Sequence, residues 1–321
     1  MENIIRDGSV LNLNTILKKD HFSSMNKPLS QTSLVGAPNY RNSKINIHGV
    51  AQCSFAGAAS VLSFIRSSST NPIYWFSARE EPLVYINSFP YVLRDTSSPL
   101  QNIKRFLGIN SLRLEQMEDR LKLDVINEAA RYKGLLLVHD EHDSNIIPTW
   151  TCVLDVQTPR QIFDKLNELG YNVNYFRIPI SPEQAPDDLY LDEYMAVINK
   201  TNPNDPLVFN CGMGIGRTTF AMVSAMIIRR KIMLRDDLPD PFPDRANSYA
   251  SLDILGNDDY DNNRTMLRLV FILENGLKNK FERSVIGWAL ERGPLIEDLK
   301  SAVLGNYQII LQLTSVLSKY L

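Results

Sequence analysis

Apolar and polar positions follow two rhythms along this chain, and the switches between them mark its elements. IYWFSAR at Ile73–Arg79 is a run of aromatic and β-branched residues and predicts a strand. The alternating stretch PLVYINSFPYVLR is interrupted at Asn87–Ser88 and predicts a hairpin turning there. From Leu112 to Tyr132 the period lengthens. Leu114, Met117, Leu121, Val125 and Ala129 recur at spacings of three and four, which predicts an amphipathic helix with its Glu and Arg residues in solvent. LLLVHD at Leu135–Asp140 then predicts a buried strand.

Thr158 and Pro159 supply an N-cap and a first helical residue for a helix running to Leu169, and Gly170 stops it. Further on, the pattern predicts a strand at Val173–Ile180, a helix at Leu191–Asn199, a strand at Leu207–Cys211 and a helix at Thr218–Arg230. Strands alternating with helices point to an α/β fold whose largely parallel central sheet is covered by helices. Residues 1–72 read as an irregular or β extension with a short helix beginning near Gly57, and 73–232 read as the core. A Pro- and Asp-rich loop follows at 233–263, then a helical C-terminal layer at 264–321, the whole forming a single unit.

Composition narrows the class. Thirty-four basic against 36 acidic residues give a net charge of −2, which argues against a globally basic nucleic-acid binder. No apolar run approaches the ~18–20 residues of a transmembrane span, and the N-terminus lacks the basic start and apolar core of a secretory signal. The three cysteines, Cys53, Cys152 and Cys211, are too few and too scattered for a disulfide framework. The expectation is a soluble cytoplasmic protein. His48 and His139 read as structural, and no Cys/His spacing suggests zinc.

One motif carries chemistry. In LVFNCGMGIGRTTFAMVSAMI, Cys211 ends an apolar strand and Arg217 opens a helix, with Gly212, Met213, Gly214, Ile215 and Gly216 between them. Glycines let such a loop curl until successive backbone N–H groups point inward as a nest for an anion. The helix N-terminus adds partial positive charge, and Arg217 adds a planar fork for two phosphate oxygens. In that field a sulfur is favoured as thiolate, and the Thr218 hydroxyl is a further donor to it. The absence of a terminal Gly-Lys-Ser/Thr excludes a Walker A loop.

This segment resembles the signature loop of cysteine-dependent phosphatases, the protein-tyrosine-phosphatase superfamily. GAPNYR, HGVAQCS, WFSAREEPLVYINSFPYVLR, YKGLLLVHDE, TPRQIFDKLNELGYNVNYFRIPI and LGNYQIILQLTSVL are similar to segments of paladin-type phosphatases. Those are relatives of the phosphatase-like phytases and often carry several units in tandem. The resemblance implies the superfamily's α/β fold and a phosphocysteine mechanism without metal or cofactor. It makes Cys211 the nucleophile, with Arg217 and the amides of 212–217 binding the phosphoryl oxygens. It implies a general acid in the loop after the Arg-Ile strand, where this chain has Pro182 in the matching place and offers Glu183 or Asp187, with Asp188 behind them. It matches Arg41 to a substrate-binding arginine, while Arg79, at a strand end in SAREEP, is either a second one or a structural ion pair. The chain departs from the pattern at Asn210, where many active members have His, and in having no lysine or histidine inside the loop.

The expected substrate is a phosphorylated small molecule or lipid headgroup, an inositol polyphosphate or phosphoinositide. A phosphotyrosine or dual-specificity protein phosphatase, and a phosphate-binding pseudophosphatase or scaffold, are the competing readings. Tandem units or a homo-oligomer are the expected assemblies.

Overall fold

The computed structural model describes residues 4–20, 34–43, 45–142, 145–181 and 188–241. The chain divides into two compact units, Met1–Arg229 and Arg230–Leu321. The second is described only through residue 241, where Arg230 pairs with Asp240 at 2.7 Å. Most of the 233–263 loop and all of the 264–321 helical layer therefore lie outside the described residues.

In chain order the elements are β1 (Thr15–Lys19), β2 (Arg41–Asn42), β3 (Ile47–Val50), α1 (Phe55–Arg66), β4 (Ile73–Ser77), β5 (Leu83–Ile86) and β6 (Phe89–Asp95). After a short 3-10 turn come α2 (Ser111–Arg131), β7 (Leu135–His142), β8 (Asn145–Cys152), β9 (Val156–Gln157), α3 (Pro159–Glu168), β10 (Val173–Arg177), α4 (Asp188–Ile198), β11 (Leu207–Asn210) and α5 (Gly216–Arg235). A five-stranded sheet runs β10-β4-β11-β3-β2, parallel except at the β2 edge. A six-stranded sheet runs β8-β7-β1-β6-β5-β9 and is antiparallel except between β1 and β7.

The expected α/β fold with a helix-covered parallel sheet is present as the five-stranded sheet. Residues 1–72, expected as an irregular or β extension, supply strands to both sheets. β3 from that region pairs with β11 in the parallel sheet, and β1 sits inside the six-stranded one. Both strands are too short for their period to stand out from the turn formers around them. LLLVHD also differs from its buried reading: Leu136 and Val138 face the core while Leu135 is 40% exposed. Buried and more exposed positions alternate along the first half of β7, so one of its faces packs on the core and the other does not.

Local chemistry explains most boundaries. Thr158 accepts from Gln161 N while the Gln161 side chain accepts from Thr158 N, a capping box with Pro159 in the first turn of α3. Asn87 and Ser88 adopt φ of 50° and 71°, as a two-residue hairpin between β5 and β6 requires. The period of two along β11 sorts its side chains. Val208 packs with α1 and α3 through Val61, Leu62, Ile162 and Phe163. Phe209 turns the other way, stacked on Phe76 at 4.9 Å with Tyr194 of α4 edge-on at 5.6 Å. Each buried aromatic of this kind contributes ~1.5–3 kcal/mol. Covered on both faces, β11 is a rigid post, and the loop that follows it inherits a fixed starting point.

Candidate active site

Cys211 follows the last residue of β11 and is 3% exposed. The loop between it and α5 is held by its carbonyls. Gln52 N donates to Gly212 O at 3.0 Å, Asn39 Nδ2 to Met213 O at 2.8 Å and Arg41 Nη1 to Gly214 O at 2.6 Å. In a planar trans peptide the N–H points opposite to the C=O. Drawing these three consecutive carbonyls outward therefore turns the amides of Met213, Gly214 and Ile215 inward. An anion nest of the kind the glycine spacing predicts needs its amides turned this way.

Gly214 is indispensable to this path. Its φ is +72°, and a Cβ there would lie 2.5 Å from Ala51 N. A Cβ at Gly212 would meet Arg79 Nη1 at 2.7 Å. Gly216, which begins α5, has nothing within 4 Å of a Cβ, so space does not demand glycine there. Met213 is the loop's exposed side chain, at 45%.

Arg217 lies in the first turn of α5. Its Nη2 donates to Glu81 Oε1 at 2.9 Å, and its Nη1 lies 3.3 Å from each of Glu81 Oε2, Ala78 O and Ile180 O. Burial works to raise the Glu81 carboxyl, but the guanidinium groups of Arg217, Arg79 and Arg94 outweigh it and hold it well below the ordinary carboxylate range. Burial likewise works to lower Arg217, and Glu81 together with the Cys211 sulfur reverses that and raises it. The turn carrying Glu81 is pinned from beneath. Arg177, at the end of β10, donates from Nε to Arg79 O at 2.8 Å and from Nη2 to Glu81 O at 3.2 Å, while pairing with Glu118 at 2.9 Å. Glu80, between them, accepts from Gly108 N at 2.6 Å, and its carboxyl is raised, first by burial and further by the Glu81 charge.

Two expectations are corrected here, those for Arg79 and Thr218. Arg41 is buried. Besides holding Gly214 O, it donates to Asn39 O and to Thr219 Oγ1, so its described contacts brace the loop from behind. Arg79 takes the ion-pair reading: its side chain is 1% exposed and bound to Asp20 and Glu81. Thr218 makes no hydrogen bond to the sulfur. Its hydroxyl is fully buried without a partner among the described residues, and its methyl lies on the Gly49 side, 2.9 Å from where a Cβ on that residue would stand. Glu183 and Asp187 lie outside the described residues, and of Asp188 only its position at the start of α4 is described.

At the other departure from the family pattern, Asn210 accepts from Trp75 Nε1 at 2.8 Å and donates to Gln52 Oε1 at 3.1 Å. Gln52 in turn donates to the Tyr85 hydroxyl at 2.7 Å, which donates to Cys53 O at 3.0 Å. The amide thus ties β11 to the residues that anchor the loop. His48 and His139 are both lowered, first by burial, His48 to about 4. Among the described residues no three His, Cys, Asp or Glu side chains gather as a metal site, and no helix is long and apolar enough to cross a membrane.

Sequence reasoning missed Glu81, Asn39, Gln52, Asp20 and Arg177. The clue for Glu81 was its place: a carboxylate just past the end of β4, the strand that pairs with β11.

The parallel sheet and the strand-loop-helix passage from β11 through the loop to α5 are the arrangement that the loop motif predicts. A family model named PTP-like phytase, described as inositol hexakisphosphate, matches residues 76–229. Over that stretch, just under half of its length, the chain is similar to the PTP-like phytases, and over a somewhat longer one to the paladins. It is 30% identical to paladin of Gallus gallus over 205 residues, covering 62% of this chain and 23% of the relative. It is 25% identical to paladin of Xenopus tropicalis over 222 residues, covering 62% and 25%. The matched part thus spans about a quarter of the length of these paladins. Among solved structures, the PTP-like myo-inositol phosphatase of Mitsuokella multacida in complex with myo-inositol-(1,3,4,5)-tetrakisphosphate aligns with a TM-score of 0.49 and 19% identity, over 68% of this chain and 38% of that one.

Proposed function

We propose that this chain hydrolyses phosphate monoesters through a phosphocysteine on Cys211, acting in the cytoplasm on inositol polyphosphates or phosphoinositide headgroups. One observation carries the reading: the outward anchoring of the carbonyls of 212–214, with Arg217 held at the mouth of the same loop by Glu81. Inward amides and a fixed guanidinium suit the three equatorial oxygens of a phosphoryl group in transfer. In the proposed reaction the Cys211 thiolate attacks phosphorus in line as the bond to the leaving oxygen breaks. A carboxylic acid, Glu183 or Asp187, gives that oxygen its proton. Water then attacks the phosphocysteine, losing a proton to the same carboxylate and returning the thiolate and inorganic phosphate. The family description supports the inositol substrate class.

A second reading, a phosphotyrosine or dual-specificity protein phosphatase, is favoured by exposed Met213, an apolar contact beside the phosphate for an aromatic leaving group. A third, a phosphate-binding scaffold, is favoured by the Thr218 hydroxyl standing off the sulfur.

The test is direct. The purified chain is offered inositol hexakisphosphate, a phosphoinositide and a phosphotyrosine peptide, with phosphate release measured for each. A parallel sample is quenched in acid within seconds and Cys211 is inspected by mass spectrometry for a phosphoryl adduct. Release from the inositol compounds with adduct on Cys211 is expected. Preference for the peptide selects the second reading, binding without adduct the third. Neither binding nor release by wild type or Cys211→Ser would sink the proposal.

A further inference from the structure

Glu81 is shared by two arginines. Oε1 accepts from Arg217 Nη2 at 2.9 Å, and Oε2 lies 2.9 Å from Arg79 Nε. Both guanidinium groups also approach the first residue of the loop: the place a Cβ on Gly212 would occupy is 2.7 Å from Arg79 Nη1 and 3.9 Å from Arg217 Nη2. Two like charges this close in a buried site compete for the one carboxylate between them. Arg79 is the hungrier of the two. It is 1% exposed, its Nη2 finds no hydrogen-bond partner among the described residues, and its Nε faces Glu81 as an ion pair without making a hydrogen bond. What satisfies it instead is Asp20, just past the end of β1, whose Oδ2 accepts from Arg79 Nη1 at 2.6 Å. Asp20 is itself 3% exposed and is fixed by its N–H to Pro90 O at 2.9 Å.

We propose that Asp20 is a positioning residue for Arg217, acting through Arg79 and Glu81. The four groups alternate in sign, Asp20, Arg79, Glu81, Arg217, and sum to zero. Asp20 occupies Arg79, which leaves Glu81 the freedom to grip Arg217 by both oxygens and present its remaining edge to a phosphate. Without the Asp20 charge, Arg79 draws Glu81 toward itself and Arg217 loses the partner that orients it. The inference rests on the loop binding phosphate as described above. It adds a residue that follows a strand of the six-stranded sheet and lies outside the loop motif.

The experiment measures binding of inorganic phosphate to the purified full chain by calorimetry, with near-ultraviolet circular dichroism reporting the fold. Asp20→Asn is expected to bind phosphate about tenfold more weakly than wild type while folded, since an oriented charged hydrogen bond is lost. The double variant Asp20→Asn/Arg79→Met removes the competitor as well and is expected to return to within about threefold of wild type, a non-additivity that a purely structural Asp20 does not produce. Should Asp20→Asn not fold alone, the double variant decides, because it buries no unpaired charge. A tenfold loss in it overturns the proposal. So does a folded Asp20→Asn that binds phosphate as wild type does, or a double variant no better than the single. Wild type that binds no phosphate overturns the loop reading itself, and this inference with it.

Discussion

Glu81 holds Arg217 at two points, Oε1 to Nη2 at 2.9 Å and Oε2 to Nη1 at 3.3 Å, with the two side chains 5% and 13% exposed. The arginine therefore reaches the loop mouth already oriented, and binding an anion need not order it. Glu81→Gln keeps the shape and drops the charge. We expect kcat/KM to fall about tenfold or more, and stability to fall by about 3 kcal/mol because the remaining charges stay buried. Steady-state kinetics and denaturant melts read these, and unchanged kinetics in a folded Glu81→Gln would refute the role. The pH sign follows from the depressed carboxyl. Its contribution to stability is full above the unfolded carboxylate pKa and is lost as pH falls through the lower folded value.

Arg41 distinguishes a brace from a substrate contact. If its fork serves the Gly214 carbonyl and Thr219, Arg41→Lys weakens inorganic phosphate and an inositol polyphosphate by the same factor, about fivefold. If it touches outlying phosphates, the loss grows with phosphate number. Calorimetry with the two ligands separates the cases.

Gly214 and Gly216 form a matched pair. Gly214→Ala meets both a φ of +72° and a backbone contact at 2.5 Å, and we expect a stability loss of about 2 kcal/mol with clear weakening of phosphate binding. Gly216→Ala meets open space, and its melting temperature should stay within about 2 °C of wild type. Equal shifts for the two would mean that the loop follows another path.

His48 makes the fold acid-sensitive. Its imidazole, 2.9 Å from the Tyr40 hydroxyl, is lowered to about 4, first by burial and then by the nearby Arg229 charge. The unfolded chain protonates near pH 6.5, the folded one only near 4. Stability is therefore full above about 6.5, declines by about 3 kcal/mol as pH falls to about 4, and is level in this term below that. His48→Gln should flatten that slope in urea melts taken across the range.

Much of this was legible in the chain. The hairpin at Asn87–Ser88, the capping of α3 by Thr158 and the period of α2 are local signals, decided by residues within a turn or two of one another. The loop from Cys211 to Arg217 was legible because its spacing is a condition of its geometry. What could not be read were interactions across the chain. Nothing near Arg41 says that its fork closes on Gly214, 173 residues away, and nothing in SAREEP says which glutamate meets Arg217. Residue type told that a charge was present; only the sheet order told which charge stood beside it. The same holds for Thr218, correctly placed beside the loop yet turned toward β3.

The anchors of the loop carbonyls carry a last consequence. Asn39, Arg41 and Gln52 all precede β4, while the segment they tether begins at residue 212. Chemistry and scaffolding are thus contributed by segments far apart along the polypeptide, 174 residues for Asn39 to Met213 and 173 for Arg41 to Gly214. A fragment starting at Ile73 would retain every atom of the signature yet lack the clamps that give it shape, and during synthesis the cradle must wait for long-range strand docking before it can grip an oxyanion.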